Sequence, residues 1–560
     1  MPYLLRFVLL FALMLLGGCA TYGNIMEPTI KSLQQGDYPS AQTNLEKVLK
    51  PTGNDRLLYY LELGVIKHLE NDFAASNALL EQAERIAEDL ETKSLSNSLI
   101  VMMSNPRKGP YAGEQFEKVY INYYKALNYL GLAQQAQSNS DYFTALDGAR
   151  VEARRLILRL NTIRDEKGSY AEQQQANEEA GLFASVVDIF NTVLRGNLID
   201  MDSIRYRDDA MAHYLSALSF EMNADYNNAR LSYQQAAQAY EDGYAKQYRL
   251  DDGIISQAWF DCIRMMSLLP GFQREARQLA QKKLSEAQRD ELKHWNKHTA
   301  QVVVLEHKGL APQRKEMNLL LSRNSDLHAF QLRPLFHLGD EDALVWFYML
   351  YADKGIAGLV SSYMDAVNYG ILASGFTKTI FLGPLWHNAE QIGLVKAAEF
   401  GLRVTVPYYS PVKPLPESHL QIDQYNYPML KSANPALIAV QEQMTSASSD
   451  INQALTRSAV KAMSAQQLEQ VGGEYAGLLA IAGKLAMQFT DAAETRNWAL
   501  LPQDIRIRRL ALAPGQHHLV LQSNMPDGTQ TQAQDIDLKP GDIHLWRVRT
   551  LPKLGHTPTH

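Results

Sequence analysis

Apolar residues follow two different rhythms along this chain, and the change between them falls near residue 295. Before it they recur at helical spacing, broken at intervals by an acidic-aromatic step that closes one helix and precedes the next. Asp37-Tyr38 is followed by Ala41, Leu45 and Val48; Asp72-Phe73, 35 residues on, is followed by Ser76, Leu80 and Ala83. Asp225-Tyr226 leads to Ala229, Tyr233 and Ala236 at the same offsets, and Asp141-Tyr142 leads to Ala145 and Ala149 as a weaker copy. Small residues at these offsets let two antiparallel helices approach closely. After residue 295 β-branched runs appear. Gln301 to Leu305 is stopped by Gly309 and Pro312, and Arg403 to Val406 is stopped by Pro407. Residues 505–550 read as an antiparallel meander, with turns at Pro514-Gly515, Asp527-Gly528 and Pro540-Gly541.

The fold expected is mainly α: a TPR-like α-solenoid over residues 19–290, then an α+β domain over 291–560 with a small antiparallel sheet. A period of about 34 residues is that of tetratricopeptide repeats. Gly64 stands eight residues before Asp72, where that pattern puts its glycine, whereas Ala133 and Ala217 replace it in other copies. The repeats are therefore degenerate, and an irregular helical bundle is the competing arrangement. Residues 105–113 form a loop rich in Gly and Pro, 164–180 a polar surface extension, and 273–291 the array's last helix. Early and late strands should join one sheet, with a helix bearing Ile451, Leu455, Ala459 and Ala462 on one face packed against it. An apolar insertion at about 325–400 includes the stretch Ala343 to Trp386. Asp353, Lys354 and Asp365 interrupt it too often for a spanning helix, so core helices are expected there.

The first residues change the picture from a cytoplasmic protein to an exported one. Arg6 precedes an apolar run from Phe7 to Leu16, too short to span a bilayer but suited to a signal peptide over residues 1–18. The run ends in Leu16-Gly17-Gly18-Cys19, the pattern cut by the lipoprotein signal peptidase, which makes Cys19 the site of lipid attachment. Ala20 is not the Asp that retains such proteins in the inner membrane, which favours the periplasmic face of the outer membrane. With 46% hydrophobic and 21% charged residues and a net charge of −7, the chain reads as globular and carries no nucleic-acid footprint. Cys262 is the only other cysteine, and its neighbours Trp259, Phe260, Ile263 and Met265 predict a buried thiol.

Motifs for catalysis are sparse. Neither a phosphate-cradling glycine loop nor a GxSxG elbow occurs. Ser458-Ala459-Val460-Lys461 and Ser410-Pro411-Val412-Lys413 fit SxxK without a Lys-Thr-Gly partner, a match expected by chance in a chain this long. Glu291, His294 and His298 share helical spacing but lack the metalloprotease pattern, so neither a metal nor a cofactor is expected. His517 and His518 fall on a strand and point to opposite faces.

What remains is recognition. Glu117, Asn122, Tyr123, Asn128, Glu152, Arg154 and Arg155 are the candidate partner-binding residues, because aromatic, amide and guanidinium groups give contact area together with hydrogen bonds. The alternative is that these polar groups tie neighbouring repeats together. Residues Gly109 to Tyr124, Ala126 to Leu130 and Val151 to Arg155, with Val302 to Leu305, Arg496-Asn497-Trp498 and Leu512 to Gly515, resemble a family of uncharacterised proteobacterial lipoproteins with tetratricopeptide-like repeats. That resemblance implies an envelope location, a repeat scaffold and a link to peptidoglycan-synthase activator lipoproteins; it implies no reaction. The expectation is a non-enzymatic scaffold that binds an envelope protein or peptide. A cell-wall hydrolase with unidentified carboxylates, or lipid handling through residues 343–386, are the alternatives.

Overall fold

In the computed structural model the described residues are 22–94, 106–167, 208–335, 341–351, 377–399, 401–410, 412–471 and 492–552, and every structural statement below concerns these. Residues 1–18, expected to be a signal peptide, and Cys19 lie outside them. Helices come first: α1 Tyr22–Gln34, α2 Tyr38–Val48, α3 Arg56–Leu69, α4 Phe73–Ser94, α5 Gln115–Gln135 and α6 Asn139–Lys167. They continue with α7 Ala210–Met222, α8 Tyr226–Ala239, α9 Gly253–Leu268, α10 Gln273–Lys283 and α11 Glu286–His294. The rhythm then changes to strands at Ala300, as the sequence pattern indicates.

Three of the acidic-aromatic steps are one and the same turn. Each helix ends on a residue with positive φ, namely Gly36, Asn71 or Ala224, and the Asp follows it. The amide of that Asp reaches back five residues, Asp37 to Ser32, Asp72 to Lys67 and Asp225 to Phe220, at 2.9–3.0 Å, which closes a Schellman motif. The Asp carboxylate then caps the next helix, accepting from Ser40 N at 3.0 Å, Ala75 N at 3.1 Å and Asn228 N at 3.4 Å. Asp141 departs from this. It lies inside α6, and Ser138 caps that helix instead. Between α3 and α4 a side chain at Gly64 would stand 2.8 Å from Leu80, so the glycine permits the close approach. Ala224 holds the left-handed conformation at φ 56° with a Cβ that opposes it. Ala224→Gly should therefore raise stability by about 0.5–1 kcal/mol in urea unfolding, and a loss would show that this turn is not strained.

The stretch 273–291 is two helices, not the single one expected. Ser285 interrupts it with a capping box, its Oγ accepting from Gln288 N while Gln288 Oε1 accepts from Ser285 N.

Twelve strands follow: β1 Ala300–Lys308, β2 Arg314–Asn324, β3 Ala329–Leu335, β4 Lys378–Phe381, β5 Leu402–Tyr409 and β6 Ser418–Ile422, then β7 Tyr425–Pro428, β8 Leu430–Ala433, β9 Asp504–Leu512, β10 Gly515–Met525, β11 Gly528–Leu538 and β12 Ile543–Thr550. They form three sheets, ordered β12-β1-β9-β8, β11-β10-β6-β7 and β4-β3-β2-β5. Residues 505–550 are thus not a meander. Only β10 and β11 pair with each other, while β9 and β12 flank β1 on opposite sides, β12 in parallel. The early strand β1 does join the late strands, but β5 goes to the third sheet.

The first two sheets face each other. Ala300, Val302 and Val304 of β1 meet Leu420, Ile422, Leu519, Leu521, Ile536 and Leu538 in a core of their own. The alternate residues of β1, Val303 and Leu305, point the other way and join the core of the helical array. A strand covered on both faces needs the continuous apolar run seen in sequence. The helix α14 Pro435–Val471 buries Ile451, Leu455 and Ala459, and packs against β5 of the third sheet. In the apolar insertion, α12 Glu341–Leu350 and α13 Leu385–Gln391 are helical as expected, but β3 and β4 are strands. Residues 352–376 lie outside the described ones. No described helix is long and apolar enough to cross a membrane.

Candidate functional site

Five of the seven candidate binding residues prove to be buried, which corrects the expectation that they line a groove. Helix α5 is covered on nearly all sides, so its polar groups must find partners inside. Asn122 donates to Glu84 at 2.8 Å and Glu152 at 3.0 Å. Asn128 bonds His68, Ser76 and Asn77 at 2.6–3.0 Å. Tyr123 hydroxyl meets His307 Nε2 at 3.0 Å, joining α5 to β1. Glu117 accepts from Tyr111 hydroxyl, from Glu114 N and from Trp498 N at 2.5–2.9 Å. Glu152 pairs with Lys125 at 3.1 Å, and Arg155, although exposed, reaches Glu152 at 3.2 Å and Glu81 at 3.4 Å. Of the seven, only Arg154 stands exposed on α6 apart from this network. These groups do what the alternative proposed: they tie neighbouring helices to one another and to the later part of the chain.

Two clasps fasten the helices to the later part of the chain. In the first, the segment 498–500 lies against buried carboxylates. Glu62 accepts from Ala499 N at 2.8 Å and Leu500 N at 3.1 Å, beside the Glu117 contact to Trp498. Burial pushes the Glu62 carboxyl up to about 8 and that of Glu117 to about 7. The second is a buried quartet of charges. Arg509 on β9 donates to Glu221 at 2.6 Å, Tyr233 at 2.8 Å and Gln301 at 2.9 Å. Arg264 bridges Glu221 and Asp261, and Tyr214 donates to Asp261 at 2.5 Å. Burial alone would raise the Glu221 carboxyl, but Arg264 and Arg509 hold it well below the usual range. Sequence reading missed this quartet, although one signal was present. Arg509 shares strand parity with Ile505 and Ile507, so it had to enter the apolar face and find a buried counter-charge.

Above the quartet lies a cleft of about 320 Å³. One wall is a face of α9, with Gly253, Ser256, Gln257 and Phe260; the other is α11 and its ends, with Ser285, Gln288, Glu291 and Trp295. The floor is Gln301, Leu430 and the consecutive residues Arg508 to Ala511 of β9. The Arg508 side chain makes no ion pair or hydrogen bond among the described residues, and its Nε is buried without an acceptor. Its guanidinium lies over the Tyr427 ring at 5.3 Å, and burial pulls it down from its ordinary value, with Tyr427 and Glu291 opposing. Trp295 Nε1 is likewise buried without an acceptor. Glu291 is held above the usual carboxylate range, by burial first and Asp261 second, with Arg508 and Arg264 acting against both.

No protein-family model matches the chain, and no curated protein matches it either. The resemblance to lipoproteins is carried by the residues quoted for it.

Arg496, within that set, donates to Asp55 at 2.6 Å and to the carbonyls of Pro106 and Gly109, so the motif serves the clasp between loop and helices. Ser458 of the first SxxK match donates to the Arg403 carbonyl at 2.9 Å. His517 bonds Asp423 at 2.8 Å and His518 bonds Asp535 at 2.6 Å, each a local pair. Among the described residues no group of His, Cys, Asp and Glu could hold a metal ion. Cys262 is fully buried, and burial pushes its thiol up to about 12.

Proposed function

We propose that this chain is a lipoprotein anchored through Cys19 to the periplasmic face of the outer membrane, and that it is a scaffold binding an envelope protein or peptide. The helix pairs act as a degenerate TPR-like array, and the process served is envelope assembly, with peptidoglycan synthesis the branch that the family resemblance points to. One observation supports binding above the alternatives: a preformed cleft at the junction of helices and sheet, lined by the Arg508 side chain, which makes no ion pair among the described residues. Because the charge quartet locks α9, one wall, to β9 in the floor, less ordering is required when a partner docks.

The anchor is tested by feeding labelled palmitate to a host that processes lipoproteins. The wild-type chain should take up label and fractionate with outer membranes, and Cys19→Ser should lose both. Label retained by Cys19→Ser would refute attachment at that residue. Tyr123 is unsuited to probing the groove, since its substitution would disturb the core; Arg154 and the cleft residues are the informative positions.

A further inference from the structure

The floor of the cleft has an open sheet edge. Strand β8 pairs with β9 only from Leu430 opposite Ile507 to Ala433 opposite Ile505, so β9 runs on past it to Leu512 with β1 on its other side. Ser432 Oγ donates to the Ile505 carbonyl at 3.0 Å, which shows that odd-numbered residues of β9 turn their main-chain groups toward β8. By the alternation of an antiparallel strand, Arg509 and Ala511 then turn theirs into the space beyond Leu430. An unpaired edge of this kind is a template for another strand. The Arg508 side chain beside it makes no ion pair among the described residues, Glu291 of the facing wall acting on it from beyond ion-pair distance, and the walls supply further polar groups from Ser256 and Gln288.

We propose that the cleft takes an extended segment of a partner protein that continues the sheet along Arg509 and Ala511 in the place β8 leaves, with an acidic side chain of that segment on Arg508. This rests on the scaffold reading given above. Main-chain bonds to the edge give affinity, and the Arg508 guanidinium gives a preference for a carboxylate. The cleft volume is at the lower end of the range for small-ligand sites, which suits a few residues of strand and not a folded surface.

The test uses the full chain and two labelled pentapeptides, Thr-Val-Asp-Val-Thr and its Asn counterpart, read by fluorescence anisotropy. The acidic peptide should bind about tenfold more tightly than the neutral one. Arg508→Gln should bring the two to the same affinity without altering the circular dichroism spectrum. Ala511→Pro removes an edge N–H that makes no bond to β1, so it should leave unfolding unchanged and abolish binding of both peptides. Equal binding of the two peptides by wild type overturns the role of Arg508, and binding unchanged by Ala511→Pro overturns strand addition. A photo-crosslinking residue at Ser256 in cells separates this failure from failure of the scaffold reading. If neither peptide binds but Ser256 crosslinks to a defined envelope protein, the acidic strand is wrong and the scaffold stands. If neither peptide binds and no crosslink forms, both are overturned.

Discussion

Arg509→Met should cost about 3–5 kcal/mol of stability, the largest loss expected from a single change in this protein. Arginine at this position is not a surface charge that water can replace. It sits between Glu221, Asp261, Tyr233 and Gln301, all buried or nearly so, and its removal leaves two carboxylates to share Arg264. The penalty is that of an uncompensated buried charge, not the value of one hydrogen bond. Urea unfolding of the full chain measures it, and the second half of the test is Glu221→Gln in the Arg509→Met background. Once the orphaned carboxylate is neutral, part of the loss should return, giving a coupling of at least 1 kcal/mol. A loss below about 1 kcal/mol for Arg509→Met, or strict additivity of the two changes, would show that the quartet does not act as a unit. Because Arg509 lies on β9 while Glu221 and Asp261 lie on α7 and α9, the same change should also uncouple the sheets from the helical array. Unfolding followed by a helix signal and by tryptophan fluorescence should then separate into two transitions.

How far the sequence could anticipate this depends on how local the determinant is. The Asp-aromatic turns were legible because the Schellman bond and the N-cap involve residues within five positions of each other, and Asp37, Asp72 and Asp225 repeat the same arrangement. The hairpin at Asp527-Gly528 was legible for the same reason. Strand β1 declared itself because burial on both faces demands an unbroken apolar run. Strand order was not legible: nothing in residues 505–550 says that β12 passes over to the far side of β1, since that is decided by which edges remain open when the sheets assemble. The candidate site failed through a related gap. Sequence reading treats tyrosines and amides on a helix as surface anchors, which holds for a helix with one wet face. Helix α5 has almost none, so Asn122, Tyr123 and Asn128 serve as internal ties. The cleft joins residues 253–295 to 508–511, more than two hundred positions apart, and no local pattern could have assembled it.

Stability should fall as pH rises from about 6.5 to 8, and Glu62 should be the main cause. Burial pushes its carboxyl up to about 8 and that of Glu117 to about 7, against about 4.3 in an unfolded chain. A raised carboxyl means that the folded protein holds a proton the unfolded chain has already lost. Stability then declines by up to about 1.4 kcal/mol per pH unit for each such group, from the unfolded value up to the folded one, and levels off above it. The buried histidines act in the opposite sense. Burial lowers His68 to about 4 and His307 well below its ordinary value, so between about 4 and 6.5 the unfolded chain binds protons that the folded one does not. There the two histidines offset the two glutamates, and the dependence should be shallow. Asp450, pushed up to about 6 by burial, adds a further decline only below that pH. Glu221, held low by its arginines, loses its contribution only under more acid conditions. Above 6.5 the histidines no longer titrate in either state, and the decline due to Glu62, joined by Glu117 up to pH 7, stands alone at about 2 kcal/mol between pH 6.5 and 8. Lys308, lowered to about 8 by burial, opposes the fall above that pH, because the unfolded chain then keeps a proton that the folded one has shed, and Cys262, pushed up to about 12, counters it once the unfolded thiol titrates near 9. Urea unfolding at half-unit steps from pH 6 to 9 should show the fall, and Glu62→Gln should remove most of it. Glutamine cannot titrate, and it keeps at most two of the three hydrogen bonds from Tyr22, Ala499 and Leu500, so its stability should be lower but nearly constant across the same range. A wild-type curve that is flat from 6.5 to 8, or a Glu62→Gln curve that falls as steeply as wild type, would mean that the carboxylate at this clasp is ionised throughout, held by the two amide donors of Ala499 and Leu500.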